Sequence, residues 1–271
     1  MTGDARAATG ELPAVLLIHG FNGEPLDMEE LEARLRARGH ATRNLLLPGH
    51  GTHVREFARM TFADWSGAVE GAARELLREH RRLLVMGHSM GGALTLHLAA
   101  REPRVAGIVA LCPPLRMFPG QFELAARLRH VLPYLPTIRE DVYDPGARYR
   151  YDRHAYHWTP VAAAHSLFSH LPRLRGELAH IHCPALVVVA QKDHVVPAGD
   201  GIEIFRRLGT NDRELMVLER SYHVVMKDVE REDVFQRVEA FAHRVATQPA
   251  PTTRARPRPA PPLLPQLSAL L

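Results

Sequence analysis

Cysteine is nearly absent from the 271 residues: there are two, Cys112 and Cys183. Each flanks a predicted strand, and neither belongs to a paired ligand spacing. That excludes a disulfide framework and a cysteine-built metal cluster, and leaves two reduced, buried thiols as the expectation. Long apolar runs are missing as well. The longest early one, Ala14 to Ile18, is strand-sized, well short of the roughly 20 apolar residues of a membrane span. Met1 to Glu11 is polar and lacks the apolar centre of a signal peptide, so the cytoplasm is the expected location. Acidic residues are lacking from Gln248 to Leu271, where Arg254, Arg256 and Arg258 supply three of the four net positive charges. The rest of the chain is close to neutral, which gives no support to nucleic-acid binding.

What is present is an alternation of apolar strands and amphipathic helices. Ala14–Ile18 reads as a strand buried on both faces. A helix over about Leu26 to Arg38 follows, stopped by Gly39, then a strand over Ala41 to Leu47. Asp64 is placed to cap a helix that runs to about His80. Leu83–Met86 and Val105–Leu111 are strands around a helix from Met90 to Arg101. The pattern then breaks from Leu115 to His182. There Phe122, Ala125, Leu128, Val131 and Leu132 recur at helical spacing, and so do Val161, Ala164, Phe168 and Leu171, after Thr159 as cap and Pro160 at the first helical position. The alternation resumes with the strand Pro184–Ala190, a helix over Ala198–Leu208, the strand Arg213–Leu218 and a helix over Val229–Ala246. The fold class is therefore α/β, with a mostly parallel central sheet and helices on both faces. One domain spans residues 1–247, with a small helical insertion over about 115–182. Residues 248–271, with seven prolines, form a tail that cannot build helix or sheet.

The chemistry centres on Gly87-His88-Ser89-Met90-Gly91-Gly92. An apolar run enters Gly-x-Ser-x-Gly and passes directly into a helical segment, which is the pattern of a nucleophile elbow. A serine hydroxyl near neutral pH needs a base, and the base needs a carboxylate that fixes its tautomer. Asp193 follows one predicted strand and His223 another, so the carboxylate and the imidazole reach the same edge of the sheet as Ser89. Asp200 is the rival carboxylate, better placed as a helix cap. His88 and His19 support the site rather than react. The N–H of Met90 and that of Phe21, in His19-Gly20-Phe21-Asn22-Gly23, are the expected oxyanion donors. His154, His157, His165, His170, His180 and His182 make a histidine-dense region with no recognised metal-ligand spacing. No cofactor or metal is called for.

These stretches resemble the α/β-hydrolase superfamily and, within it, bacterial monoacylglycerol lipases and their carboxylesterase relatives. The resemblance rests on Leu17–Gly23, Pro48-Gly49-His50-Gly51-Thr52-His53, Thr61-Phe62-Ala63-Asp64-Trp65, the Ser89 elbow, Cys183-Pro184-Ala185-Leu186, Asp193-His194-Val195-Val196-Pro197 and Ser221-Tyr222-His223-Val224. It implies nucleophile Ser89, acid Asp193, base His223, oxyanion amides from Phe21 and Met90, and no cofactor. It also implies a cap that forms an apolar tunnel for one acyl chain. Phe118, Phe122, Leu128, Leu167 and Phe168 in the insertion, with Val195 beside the acid, are the candidate substrate contacts. Val131, Leu132, Tyr134 and Leu171 are further candidates in the insertion. The expected reaction is hydrolysis of short- to medium-chain carboxylic esters, monoacylglycerols above all. The expected partner is a small lipid or ester, with at most transient contact with a membrane or micelle. Thioesters and other acyl or carbon–carbon bonds suit the same machinery. A non-catalytic binder of apolar ligands would be missing one of the three groups, and none is missing.

Overall fold

Ala14–Ile18 forms β1, and all five residues are buried, as two covering layers require. The computed structural model describes residues 12–116, 120, 126–127, 131–137, 141–151 and 156–247. After β1 come a single 3-10 turn (Pro25–Asp27), α1 (Glu29–Ala37), β2 (Thr42–Leu45), α2 (Val54–Phe57) and α3 (Phe62–Glu79). The centre of the chain holds β3 (Leu83–His88), α4 (Met90–Ala99) and β4 (Val105–Leu111). Next are β5 (Tyr134–Pro136), α5 (Pro145–Tyr151), β6 (Trp158–Pro160) and α6 (Val161–Glu177). β7 (Ala185–Ala190), α7 (Ala198–Arg207), β8 (Arg213–Leu218) and α8 (Arg231–Thr247) complete the described chain. The tail from 248 lies outside the described residues.

The main sheet has the order β2-β1-β3-β4-β7-β8, and every pairing in it is parallel. Side chains alternate between its faces, because successive residues of a strand point opposite ways. Leu16, Ile18, Val85 and Val187 pack with Trp65 and Val69 of α3, Leu94 of α4, Leu171 of α6 and Ile204 of α7. Val15, Leu17, Met86 and Val188 pack with Leu31 and Leu35 of α1 and Val234, Val238 and Phe241 of α8. Two apolar layers therefore sandwich one sheet, and the ends of β3, β7 and β8 share one edge.

Three details depart from expectation. Thr61, not Asp64, is the N-cap of α3; Asp64 closes a capping box, accepting from the Thr61 N–H at 2.8 Å. The insertion is not purely helical: β5 and β6 pair antiparallel, Leu135 opposite Thr159. That pairing holds Thr159 extended, so Pro160 becomes the N-cap of α6. Val131 and Leu132, expected on a buried helical stripe, are 71% and 46% exposed and precede β5. Pro133 follows them directly and disfavours the helical backbone that a stripe would need.

Candidate active site

Ser89 makes the turn between β3 and α4 by itself. Its backbone sits at φ +54°, ψ −119°, a region that costs a residue with a side chain on the order of 1–3 kcal/mol. Neighbouring contacts enforce it. The Ser89 N–H donates to the Leu111 carbonyl at 2.8 Å. A Cβ on Gly87 would stand 2.1 Å from the Gly91 carbonyl oxygen, and one on Gly91 2.2 Å from that of Ile18. Glycine at both positions lets strand, turn and helix pack this closely, and the turn lifts Ser89 to the edge of the sheet.

Asp193 follows β7. Its Oδ1 accepts the N–H groups of Val195 and Val196, both at 2.8 Å, and its Oδ2 accepts Nδ1–H of His223 at 2.7 Å. Val195 thus holds Asp193 through its backbone. Both members of the pair are buried. Burial alone would raise the Asp193 pKa, but the His223 ring and the two amides outweigh it and hold the carboxyl below its ordinary value. Burial would likewise lower the His223 pKa; the Asp193 charge and hydrogen bond, with Asp141 adding to them, carry it above 6.5 instead. Nδ1 is committed to Asp193, and Nε2 is the other ring nitrogen.

His88 joins the strand that leads to Ser89 to the loop that carries His223. Its Nε2–H donates to the His223 carbonyl at 3.0 Å, and the two ring centroids lie 4.7 Å apart. Burial, with the nearby His223, holds the His88 pKa at about 3, so the ring stays neutral. His19 does the same for the other loop: Nδ1–H donates to the Gly20 carbonyl at 2.8 Å and Nε2 accepts the Leu47 N–H at 3.2 Å. The Phe21 and Met90 N–H groups, the expected oxyanion donors, have no hydrogen-bond partner among the described residues. Met90 opens α4, so its N–H is one of the unpaired donors that every helix start presents.

Several contributors escape a reading of the sequence. His50 donates from Nε2 to the Phe21 carbonyl at 2.6 Å and fixes the loop that carries the Phe21 amide. Cys112 sits at φ +47° beyond β4, with its sulfur within 4.8 Å of ligating atoms of Asp193 and His223. Glu230 accepts the N–H groups of Arg220 and Ser221, at 3.0 and 2.7 Å, and the Ser221 hydroxyl at 2.7 Å, just before His223. Asp200, expected as a helix cap, is instead a buried anchor inside α7: its Oδ2 accepts the N–H groups of Leu115 and Arg116, both at 2.7 Å, where the insertion begins. No signal in the sequence links these carboxylates to amides so far away.

Of the candidate substrate contacts, Phe118, Phe122 and Leu128 lie outside the described residues. Leu167 is buried in the apolar layer with Leu171 and Leu174, and Phe168 packs half-buried against it. Both fasten α6 to the body. Among the described residues, two sets of potential metal ligands converge. One is the Cys112–Asp193–His223 set. The other is His97, His170 and Glu177, where Arg101 Nη1 lies 2.8 Å from both Glu177 Oε2 and His97 Nδ1. A guanidinium already stands at the place a cation would take.

Known proteins resemble this chain over most of its length. The family model described as serine aminopeptidase, S33 matches residues 11–230. A thermostable monoacylglycerol lipase of Bacillus sp. (strain H-257) is 35% identical over 232 residues, covering 84% of this chain and 90% of the relative. A carboxylesterase of Bacillus subtilis (strain 168) is 27% identical over 233 residues, covering 86% and 93%. A solved structure from work on the metagenome-derived lipolytic enzymes LipS and LipT superposes with a TM-score of 0.81 at 34% identity, covering 88% of this chain and 96% of that one. A soluble variant of monoglyceride lipase from Saccharomyces cerevisiae shares the fold, with a TM-score of 0.75 at 18% identity over 89% of each chain. A parallel sheet with Ser89 on a strained elbow and a buried Asp193–His223 pair at its edge, matched along most of its length, places this chain in the α/β-hydrolase superfamily, in the serine aminopeptidase S33 family that its sequence matches.

Proposed function

We propose that the chain is a carboxylic ester hydrolase that works through a covalent acyl-Ser89 intermediate, with monoacylglycerols of short to medium chain length as its favoured substrates. The observation that carries the reading is the 2.7 Å Asp193–His223 contact on the sheet edge where Ser89 is held in strained geometry. Ser89 Oγ attacks the ester carbonyl carbon and its proton passes to His223 Nε2. The oxyanion is stabilised by the N–H groups of Phe21 and Met90, which have no other partner among the described residues. Collapse expels the alcohol, glycerol in the favoured case, with the proton returned by His223. Water repeats the sequence and releases the fatty acid. Asp193 keeps the imidazole in the required tautomer and stabilises its cationic form.

The substrate class rests on the Bacillus relative, named as a thermostable monoacylglycerol lipase. Residues 115–182 act as a cap over the acyl chain, rooted at Asp200 and seated on the body by α6. Phe118, Phe122 and Leu128 are its acyl-contacting side chains. Both cysteines are free, which suits the reducing cytoplasm, and no helix among the described residues is long and apolar enough to cross a membrane.

Purified protein assayed on p-nitrophenyl esters and monoacylglycerols of graded acyl length tests the reading. Hydrolysis peaks at short to medium chains and favours the glycerol esters. Ser89→Ala loses at least about 10⁴-fold in kcat and its fluorophosphonate labelling. Unchanged turnover in Ser89→Ala would end the proposal. Preference for thioesters in the same series would keep the machinery and move the substrate class.

A further inference from the structure

The loop that presents His223 is fixed from two sides, and one side belongs to the insertion. Asp228, five residues after His223, is 1% exposed, and both its carboxylate oxygens point at backbone amides. Oδ2 accepts the N–H of Tyr222, the residue before His223, at 2.7 Å and the N–H of Tyr143 at 2.8 Å. Oδ1 accepts the N–H of Val229 at 2.8 Å and that of Asp144 at 3.2 Å. One side chain therefore ties the histidine loop to a segment about 80 residues earlier in the chain. Two further contacts run alongside. The Val224 N–H donates to the Asp141 carbonyl at 2.8 Å, and Val224 is buried with Val142 and Ala147 in a small apolar cluster of their own. The Tyr143 and Tyr222 rings meet edge to face, with centroids 5.3 Å apart. His223 is thus bracketed: Tyr222 is tied to Tyr143 and Asp144 through Asp228, and Val224 bonds Asp141 directly.

We infer that Asp228 is a positioning residue that makes the 141–144 segment and the His223 loop one mechanical unit, so that the seating of the cap sets the placement of the general base. The inference builds on the ester-hydrolase reading. A buried carboxylate with four amide donors has one low-energy arrangement, and losing it leaves those N–H groups without partners. The consequence falls on the chemical step. A shift of about 1 Å in a base costs on the order of 10²-fold in rate, while the acyl-contacting surface is untouched. Glu230 holds the loop from the opposite side, through residues 219–221, and among the described residues reaches no part of the insertion. Asp228 alone of the two carboxylates transmits the cap's position.

The test separates kcat from KM on p-nitrophenyl butyrate. Asp228→Asn, which turns two N–H groups against an amide NH₂, lowers kcat at least tenfold with KM within threefold of wild type. Tyr143→Pro and Tyr143→Ala both remove the ring that meets Tyr222, but only the proline removes the donor to Asp228; its loss in kcat exceeds that of Tyr143→Ala at least threefold. The loss of kcat in Tyr143→Pro beyond that in Tyr143→Ala is the decisive result, because both variants lose the ring that meets Tyr222 and only the proline loses the N–H to Asp228. Should Asp228→Asn fail to fold by circular dichroism, the two Tyr143 variants decide alone. Wild-type kcat in Tyr143→Pro, or an effect confined to KM, overturns the coupling. A wild-type protein that hydrolyses no ester overturns the functional reading instead, so the two failures are distinguishable.

Discussion

A histidine that takes a proton from serine works only when it is neutral, so under the proposed mechanism the ionisation of His223 sets the acid limb of activity. Asp193 raises its pKa above 6.5 despite burial. The limb in kcat/KM therefore falls above pH 6.5, with activity rising towards pH 8. Asp193→Asn removes the charge that stabilises the imidazolium. Its limb moves to lower pH, and kcat falls by roughly 10⁴ because the ring loses its enforced tautomer. A pH–rate profile on both proteins checks this, and a limb that stays in place in Asp193→Asn would show that another group titrates. For stability the same pair acts in two windows. The raised His223 contributes stability that is full below its unfolded pKa and is lost as pH rises through its folded one. The depressed Asp193 contributes stability that is present above its unfolded pKa and is lost as pH falls through its folded one. Ser89, Asp193 and His223 could be placed on one sheet edge from the sequence because each follows the end of a strand, by one, three and five residues. Asp228, Glu230 and Asp200 could not be placed. Each acts on amides that folding alone brings near, and a carboxylate in a turn or first helical turn reads equally well as solvated surface.

Among the elements, the elbow has the least tolerance. A Cβ on Gly91 would meet the Ile18 carbonyl oxygen at 2.2 Å and that of His19 at 2.6 Å, and both belong to backbone that cannot rotate away. Relief requires α4 to move off β1, and with it Ser89 and the Met90 amide. Gly91→Ala therefore loses both stability, by about 2 kcal/mol or more, and at least tenfold in kcat. Gly67→Ala on α3, with nothing within 4 Å of its Cβ, provides the contrast: its thermal midpoint holds or rises, since alanine is the better helix former. Thermal melts and kcat on the pair settle the matter, and equal behaviour would show that the close approach carries no cost. The strands of the main sheet could be read from the sequence because β-branched and apolar runs have few alternatives once long enough. The insertion could be read only in part: its Val161–Leu171 stripe is α6, but its strand pair could not be foreseen. β5 and β6 are three residues each, too short for any periodicity, and they exist through their pairing with one another.

For the molecule as a whole, buried histidine decides the response to acid. His19 and His88 are fully enclosed and held at about 3, mainly by burial. His50 is lowered by burial as well, and His170 is held at about 4 by burial and by His97. A histidine kept neutral in the folded state contributes stability that is complete above its unfolded pKa and is lost as pH falls towards its folded pKa, because the unfolded chain takes up the proton first. Between pH 6.5 and 5, His19 and His88 forfeit about 2 kcal/mol each, at 1.36 kcal/mol per unit. Asp27 works in the opposite direction. Burial raises it to about 7, so acid favours the folded form there and returns about 2–3 kcal/mol over pH 7 to 5. His223 adds a smaller gain of the same sign. Two enclosed rings, joined by His50 and His170, outweigh one carboxyl. The thermal midpoint therefore drops between pH 7 and 5, at a pH where the Asp193–His223 pair is still intact. His88→Gln reduces that drop, because the glutamine amide can donate to the His223 carbonyl and has no proton to gain. Melting curves across pH 5–8 for wild type and His88→Gln measure the difference. A wild-type midpoint that stays level down to pH 5 would mean that these rings are as open to protons in the folded state as in the unfolded one.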